Sequence, residues 1–353
     1  MRIGDREIGL GHPPYIIAEI GVNHDGSAER ALALVDAAAH AGADAVKLQF
    51  FRADLLMSRA AGLASYQRQA GEADPLSMLR RLELGIDAVA SVVDRAHTLG
   101  MHAIVTVFSV DLVAEAERLP WDAYKSASPD VVNRPLLETM SATGRPLIVS
   151  TGACEAGEVE RAIGWLAGAR DRLALLQCVS CYPTSNEDAA IGAMGVLRRL
   201  FDGPVGYSDH TTGEDTGALA ASLGACILEK HLTYDRAARG PDHAASLDPA
   251  GFARYAEAAR SHGRMEFPPD DPRIGPPEKR VLACEQDVRR VSRQSVTTRR
   301  ALEAGHALTP DDLTIKRPGT GLEPWRLGGV VGRRLARGVR ADAPLVADDL
   351  APE

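Results

Sequence analysis

The sequence predicts an α/β chain: a (β/α)8 barrel followed by a small, mostly β module. Three features point there. Short apolar runs alternate with amphipathic stretches of ten to fifteen residues, eight times over roughly 250 residues. A proline-rich break, FPPDDPRIGPPE (267–278), follows. Beyond it lie brief, Gly-rich β-like pieces, too few for a second enzyme domain. The 353 residues, 45% hydrophobic and 25% charged, are too apolar for a disordered chain. No run approaches the 18 apolar residues of a membrane span. The start lacks a secretion signal's apolar core, and five cysteines, an odd count, suit a reducing cytoplasm rather than a disulfide framework.

The opening MRIGDREIGLG reads as a hairpin placed to plug the barrel's bottom. The strand candidates are YIIAEI (15–20), AVKLQFF (45–51), HAIVTVF (102–108), AYKS (123–126), PLIVS (146–150), LALLQC (173–178), VGYS (205–208) and CILEKH (226–231). After the first, Ser27 can cap a helix whose apolar face is ALALVDAAAHA, and Gly42 can end it. Similar helix patterns follow later runs. Residues 52–86 form a long excursion, which reads either as a lid over the site or as a poorly ordered loop. A doubly wound sheet would more often show a glycine fingerprint after its first strand, and GVNHDG (21–26) is not one. The expected units are a barrel with its hairpin (1–266), a linker (267–291) and the terminal module (292–353).

Charge divides along the same line. The chain's net charge is −8, with −11 in residues 1–285 and +3 in residues 286–353. A basic tail can grip nucleic acid or dock on an acidic body. These arginines form no dense run and are not interleaved with aromatics, so docking is favoured and no nucleic-acid or membrane partner is expected.

The C-terminal strand ends of a barrel hold its chemistry. Here nearly every run closes on a polar group: Glu19, Lys47 with Gln49, Thr106, Lys125 with Ser128, Ser150, Gln177, Ser208 with His210, and Lys230 with His231. One such residue is an ordinary solvated cap, but eight in register argue for a site, because each unpaired buried polar group costs about 1–3 kcal/mol. His210 and His231 end consecutive strands, where two imidazoles can share one divalent metal; two hydrogen-bonded structural histidines are the plainer alternative. Asp242 follows the eighth strand and could orient water beside such a metal. Lys47, Lys125, Thr106, Ser128, Ser150 and Ser208 form a cationic, hydroxyl-rich ring suited to a phosphate beside a carboxylate. Cys178 and Cys181 make a lone C-x-x-C pair, which reads as structural.

The segments IIAEIGVNHDGS (16–27), GADAVKLQFF (42–51), AYKSAS (123–128), IVSTGA (148–153), CYPT (181–184), YSDHT (207–211), EKHLT (229–233), GPDHAASLDP (240–249) and KRPGTG (316–321) resemble the N-acetylneuraminate (sialic acid) and related nonulosonate synthases, nearly end to end. The tail resembles that family's antifreeze-like (SAF) domain. The resemblance implies a metal-dependent condensation of phosphoenolpyruvate with an open-chain N-acetylated hexosamine, N-acetylmannosamine or a diacetamido-trideoxyhexose. It implies that His210 and His231 hold Mn²⁺ or Mg²⁺, and that Lys47, Thr106, Lys125, Ser128, Ser150 and Ser208 bind phosphoenolpyruvate. Glu19 would contact the sugar near its reacting carbon, Tyr182 would line the sugar site, and Gln49 would join the binding residues. Arg317 would reach from one subunit's tail into the other's barrel, making a domain-swapped dimer.

Departures fall on the sugar side. Ser180 stands where these synthases usually carry Asn, Glu72 where an Asn often contacts the sugar, Pro129-Asp130 where Gly-Glu is common, and Val107 where Pro is usual. The expectation is a conserved reaction with an altered acceptor. The rival readings are a heptulosonate- or octulosonate-phosphate synthase, which lacks the tail, and a non-catalytic sugar- or phosphate-binding barrel.

Overall fold

The computed structural model describes residues 1–352. Eight parallel strands close into a barrel: β1 (Tyr15–Glu19), β2 (Ala45–Phe50), β3 (His102–Val107), β4 (Ala123–Ser126), β5 (Leu147–Ser150), β6 (Leu173–Cys178), β7 (Val205–Asp209) and β8 (Ile227–His231). Each lies within the run that the sequence marks, or within one residue of it. The barrel closes where β8 pairs with β1, His231 opposite Glu19. Ser27 accepts the Arg30 N–H to start α1 (Ala28–His40), and Gly42 leaves that helix at φ +82°.

Strand parity decides what each residue faces. One set packs outward on the helices: Ile16, Val46, Val105, Leu175 and Leu228 meet Ala31, Leu34, Val35 and Ala38 of α1 and their counterparts around the ring. The alternate set points inward, and its lower half is apolar: Ile17, Ala45, Ile104, Ala123, Ile148, Ala174, Leu176 and Ile227. Ile3 and Ile8 join this cluster, so the opening hairpin (Arg2–Ile3 with Arg6–Glu7) plugs the bottom as expected. Gly206 is the inward residue of β7 at this level; a Cβ there would clash with the Ile227 carbonyl. Above the apolar layer the same inward set turns polar.

The excursion after β2 folds into three short helices, Ala53–Leu56, Ser65–Gln69 and Pro75–Leu82. Met78, Leu79 and Leu82 pack with Val22, Phe51, Leu56 and Phe108 to make an apolar wall beside the barrel mouth. The tail pairs β9 (Ser295–Thr298) antiparallel with β10 (Leu313–Lys316). Its own core holds Val296, Leu302, Leu308, Leu313, Val330, Leu335, Leu345 and Leu350.

A short helix, Gln286–Ser292, leads into that module and ties it to the barrel. Arg289 and Arg293 both donate to the buried Glu158, at 2.6–2.9 Å. Burial alone would raise the Glu158 carboxyl, but the two guanidinium groups outweigh it and hold the pKa at about 2. A carboxylate whose folded pKa is depressed stabilises the fold above its unfolded pKa, near 4.5, and loses that contribution as pH falls toward 2. Glu158→Ala should therefore cost about 3–5 kcal/mol near neutral pH, because it strands two cations. Urea denaturation at pH 7 and pH 3 checks this; a penalty that does not shrink at pH 3 would contradict it.

Candidate active site

The strand register assembles the site. Glu19 lies opposite Lys47, Thr106 opposite both Gln49 and Lys125, and Ser208 opposite both Cys178 and Glu229. All point inward, directly above the apolar layer. They open into a cavity enclosing about 870 Å³ of space between its lining atoms, the open mouth included.

Lys47, Gln49, Thr106, Lys125, Ser128, Ser150, Ser180, Tyr182, Ser208, His210, His231, Asp242 and Arg317 all line this cavity. Glu19 does not. Its carboxylate is wholly buried against the Lys47 ammonium. Burial pushes its pKa up to about 7, although Lys47 pulls the other way. Gln177 and Lys230 carry the opposite parity and leave the ring: Gln177 donates to the Ala190 carbonyl, and Lys230 pairs with Asp209 at 2.9 Å on the helix side. Glu72 pairs with Arg81 outside the cavity.

Glu229 is the residue that sequence reasoning missed, although it stands in the quoted EKHLT and alternate spacing with His231 would have found it. Its Oε1 lies 3.0 Å from Lys125 Nζ, 4.0 Å from Lys47 Nζ and 3.1 Å from Ser208 Oγ, while Oε2 is enclosed without a partner. Burial would raise its pKa, but Lys125 and Lys47 hold it below the usual carboxylate range. Lys47 also reaches Thr106 Oγ1 at 3.2 Å. Ser128 donates to Ser150 Oγ at 3.1 Å and accepts the Gly152 N–H. Two ammonium groups and four hydroxyls thus converge on one buried patch, the chemistry that holds a phosphate or carboxylate.

Above this patch stand the two histidines, with ring centroids 5.5 Å apart. His210 Nδ1 donates to the Val179 carbonyl at 2.7 Å, which fixes the tautomer and leaves Nε2 as the lone-pair nitrogen. Burial, then neighbouring His210 and the lysines, hold His231 well below its ordinary pKa, so it is neutral. Its Nδ1 is enclosed without a hydrogen bond, 3.9 Å from Asp242 Oδ2. Burial pushes Asp242 up to about 6. Among the described residues no group of three His, Cys, Asp or Glu forms a metal cage. Two imidazoles on adjacent strands, one of them neutral with an enclosed unpartnered nitrogen, fit a divalent ion that takes its remaining ligands from water or substrate.

The far side of the mouth is aromatic, apolar and cationic. Tyr182 packs on His210 (4.1 Å between centroids) and Tyr66 (5.0 Å). Arg317 lies over Phe108 at 5.5 Å, and its Nε is enclosed without a hydrogen-bond partner. It reaches the mouth of its own barrel, whereas the resemblance implies delivery from a second subunit. Glu285, also absent from the sequence reading, accepts the Ala153 and Ser180 N–H groups at 2.6 and 2.8 Å and so joins the loops after β5 and β6.

Fold and site together define a (β/α)8 enzyme with a buried anion pocket, a pair of imidazoles and an arginine brought by an accessory module. The chain belongs to the NeuB family: that family's model matches residues 34–265, and the SAF domain model matches residues 293–351. It is 36% identical to the N,N'-diacetyllegionaminic acid synthase of Legionella pneumophila over 94% of this chain and 93% of that one. It is 32% identical to the enzyme of the same name from Campylobacter jejuni, over 93% and 97%. The crystal structure of spore coat polysaccharide biosynthesis protein SpsE from Bacillus subtilis superposes with a TM-score of 0.85 at 28% identity, covering 100% of this chain and 99% of that one.

Glu229→Ala should strand the Lys125 ammonium in a buried pocket, at about 3–5 kcal/mol of stability. Inorganic phosphate should recover part of that loss by occupying the vacated charge partner's place. Thermal melts of both proteins with and without phosphate check this; an unchanged melting temperature in the variant would contradict it.

Proposed function

We propose that this chain condenses phosphoenolpyruvate with the open-chain aldehyde of an N-acetylated amino sugar, releasing inorganic phosphate and a nonulosonic acid. The observation that carries the reading is the convergence of Lys47 and Lys125 with Thr106, Ser128, Ser150 and Ser208, directly beneath the two histidines. The names of the legionaminic acid synthases support it.

In this reading the lysines and hydroxyls hold the phosphate and carboxylate of phosphoenolpyruvate against the barrel floor. That fixes the methylene carbon toward the mouth, and orientation supplies much of the acceleration. The methylene carbon bonds to the sugar's aldehyde carbon while the aldehyde oxygen takes up the electron pair. Water then adds to the neighbouring carbon, and the carbon–oxygen bond to phosphate breaks. Asp242, at its raised pKa, can take the proton of that water. Glu229 keeps both ammonium groups aligned. His210 and His231 would hold Mn²⁺ or Mg²⁺, which when bound supplies Lewis-acid stabilisation of the oxygen that gains charge.

Tyr182, Ser180 and Arg317 face the sugar, beside the apolar wall of Val22, Met78, Leu79 and Leu82. An apolar wall suits a methyl group better than a hydroxymethyl, so a diacetamido-trideoxyhexose is the favoured acceptor over N-acetylmannosamine. The five free cysteines suit a reducing compartment, so the reading places the enzyme in the cytoplasm. The tail exchange of a domain-swapped dimer would supply an equivalent Arg317 from a second copy.

Phosphate release from phosphoenolpyruvate, followed across a panel of amino sugars with the product identified by mass, tests the reading. It should depend on the sugar, stop with a chelator and return with Mn²⁺ or Mg²⁺. A trideoxy sugar should exceed N-acetylmannosamine in kcat/KM by about tenfold, the scale of one apolar contact. Release without sugar, or none with any sugar, would contradict the reaction; preference for N-acetylmannosamine would contradict the acceptor.

A further inference from the structure

We infer that Lys230, on the helix side of the barrel, is a positioning residue for the imidazole pair: its ammonium clamps both neighbours of His210 and so sets the separation of His210 from His231. The inference rests on the proposed role of those two histidines as holders of a divalent ion, and its geometry can be tested without the ion.

The need for a clamp follows from the strand register. β7 and β8 pair through Tyr207 with Leu228, Ser208 with Glu229 and Asp209 with Lys230, and the pairing stops there. His231 is still held by the sheet, because it lies opposite Glu19 on β1. His210 is the first residue beyond β7, and no strand partner fixes it. Its ring bonds to the Val179 carbonyl and its own carbonyl accepts the Thr184 N–H, but both partners belong to the loop after β6. Held by these alone, the ring would follow that loop rather than the sheet. A supporting shell about 1 Å too loose is enough to spoil a metal site.

Lys230 supplies the missing constraint. Its Nζ lies 2.9 Å from Asp209 Oδ2 and donates to the Thr211 carbonyl, so it holds the residues on either side of His210. Asp209 closes the same turn with its other oxygen, which accepts the N–H and the hydroxyl of Thr211, each at 2.8 Å. One peptide bond joins the lysine to His231. A single side chain therefore ties together the backbone at both histidines, whose ring centroids are 5.5 Å apart. The ammonium has no room to swing: it is wholly buried, 5.4 Å from the centroid of the Tyr255 ring. Tyr255 packs in turn on Gly217, where a Cβ would clash with it.

Packing alone does not account for the charges. Burying an ion pair returns little more than its desolvation costs, and apolar replacements of similar volume are often neutral or stabilising. Methionine could fill the space of Lys230 but could not bond the Thr211 carbonyl. What the pair adds is direction, through two bonds to oxygens of the turn that carries His210.

Lys230→Met combined with Asp209→Asn tests this, since the double change strands no charge and leaves an oxygen for Thr211. Mn²⁺ binding is followed by the electron paramagnetic resonance signal of the free ion, and phosphoenolpyruvate binding by calorimetry on metal-free protein. Mn²⁺ affinity should fall about 10–100-fold while phosphoenolpyruvate affinity stays as in the wild type. Unchanged Mn²⁺ affinity, or equal losses for both ligands, would overturn the inference. If the double variant does not fold, Asp209→Asn alone loosens one arm of the clamp and should show the same split at smaller size. Histidine-selective ¹⁵N NMR of the metal-free proteins reads the ring itself: the His210 Nδ1–H resonance should shift or broaden in the variant, and an unchanged resonance would rule the clamp out. Wild-type protein that binds no Mn²⁺ would sink the proposed metal, and that resonance would still decide the clamp.

Discussion

A carboxylate placed between two ammonium groups governs the architecture of the barrel mouth. Glu229 holds Lys125 at 3.0 Å and Lys47 at 4.0 Å, in a layer from which water is largely excluded. Charges there are tolerable only when paired and hydrogen-bonded. The layer can exist because the inward residues beneath it are wholly apolar and stoppered by Ile3 and Ile8. A one-residue slip of β2 would turn Lys47 onto the helices and Val46 or Leu48 into the mouth. Packing and chemistry therefore enforce the same register.

The barrel was legible because its strands are short apolar runs, and the runs coincide with the observed strands to within a residue. The site was legible only in part. Closeness to a strand end selects candidates, but parity decides among them: Gln177 and Lys230 end strands as promisingly as Lys47, yet face the helices. The same parity makes Glu229 a member of the pocket, which no search for strand-terminal residues would reveal. Glu19 shows the converse limit. It has the right parity and lies level with Lys47, but its carboxylate is turned against that ammonium and does not line the cavity. Glu285 supports the site through tertiary docking alone, so no local pattern could have placed it, and Arg317 was marked only by the resemblance of KRPGTG.

Docking of the tail links stability to chemistry. Glu158 receives two guanidinium groups, and Glu285 ties the helix that leads into the module to the loops carrying Ala153 and Ser180. Loosening that helix would move Ser180 as well as the arginine beyond it. The sugar side of the mouth is thereby built from loops and tail, where sequence changes cost little to the barrel. Apart from Ser128, the phosphate side is built from strand residues that cannot change without disturbing the buried charge layer. Departures such as Ser180 and Pro129 fall on or near the adaptable side, which suits one reaction run on different acceptors.

Binding of phosphoenolpyruvate measured calorimetrically in the wild type, Lys125→Ala and Lys125→Arg tests the central claim most directly. If the lysine pair and its hydroxyls form the phosphate pocket, Lys125→Ala should weaken binding by about a hundredfold or more, while the arginine variant keeps part of the affinity. Equal affinity in all three proteins would contradict it, and the ligand's charge would have to be met elsewhere on the molecule.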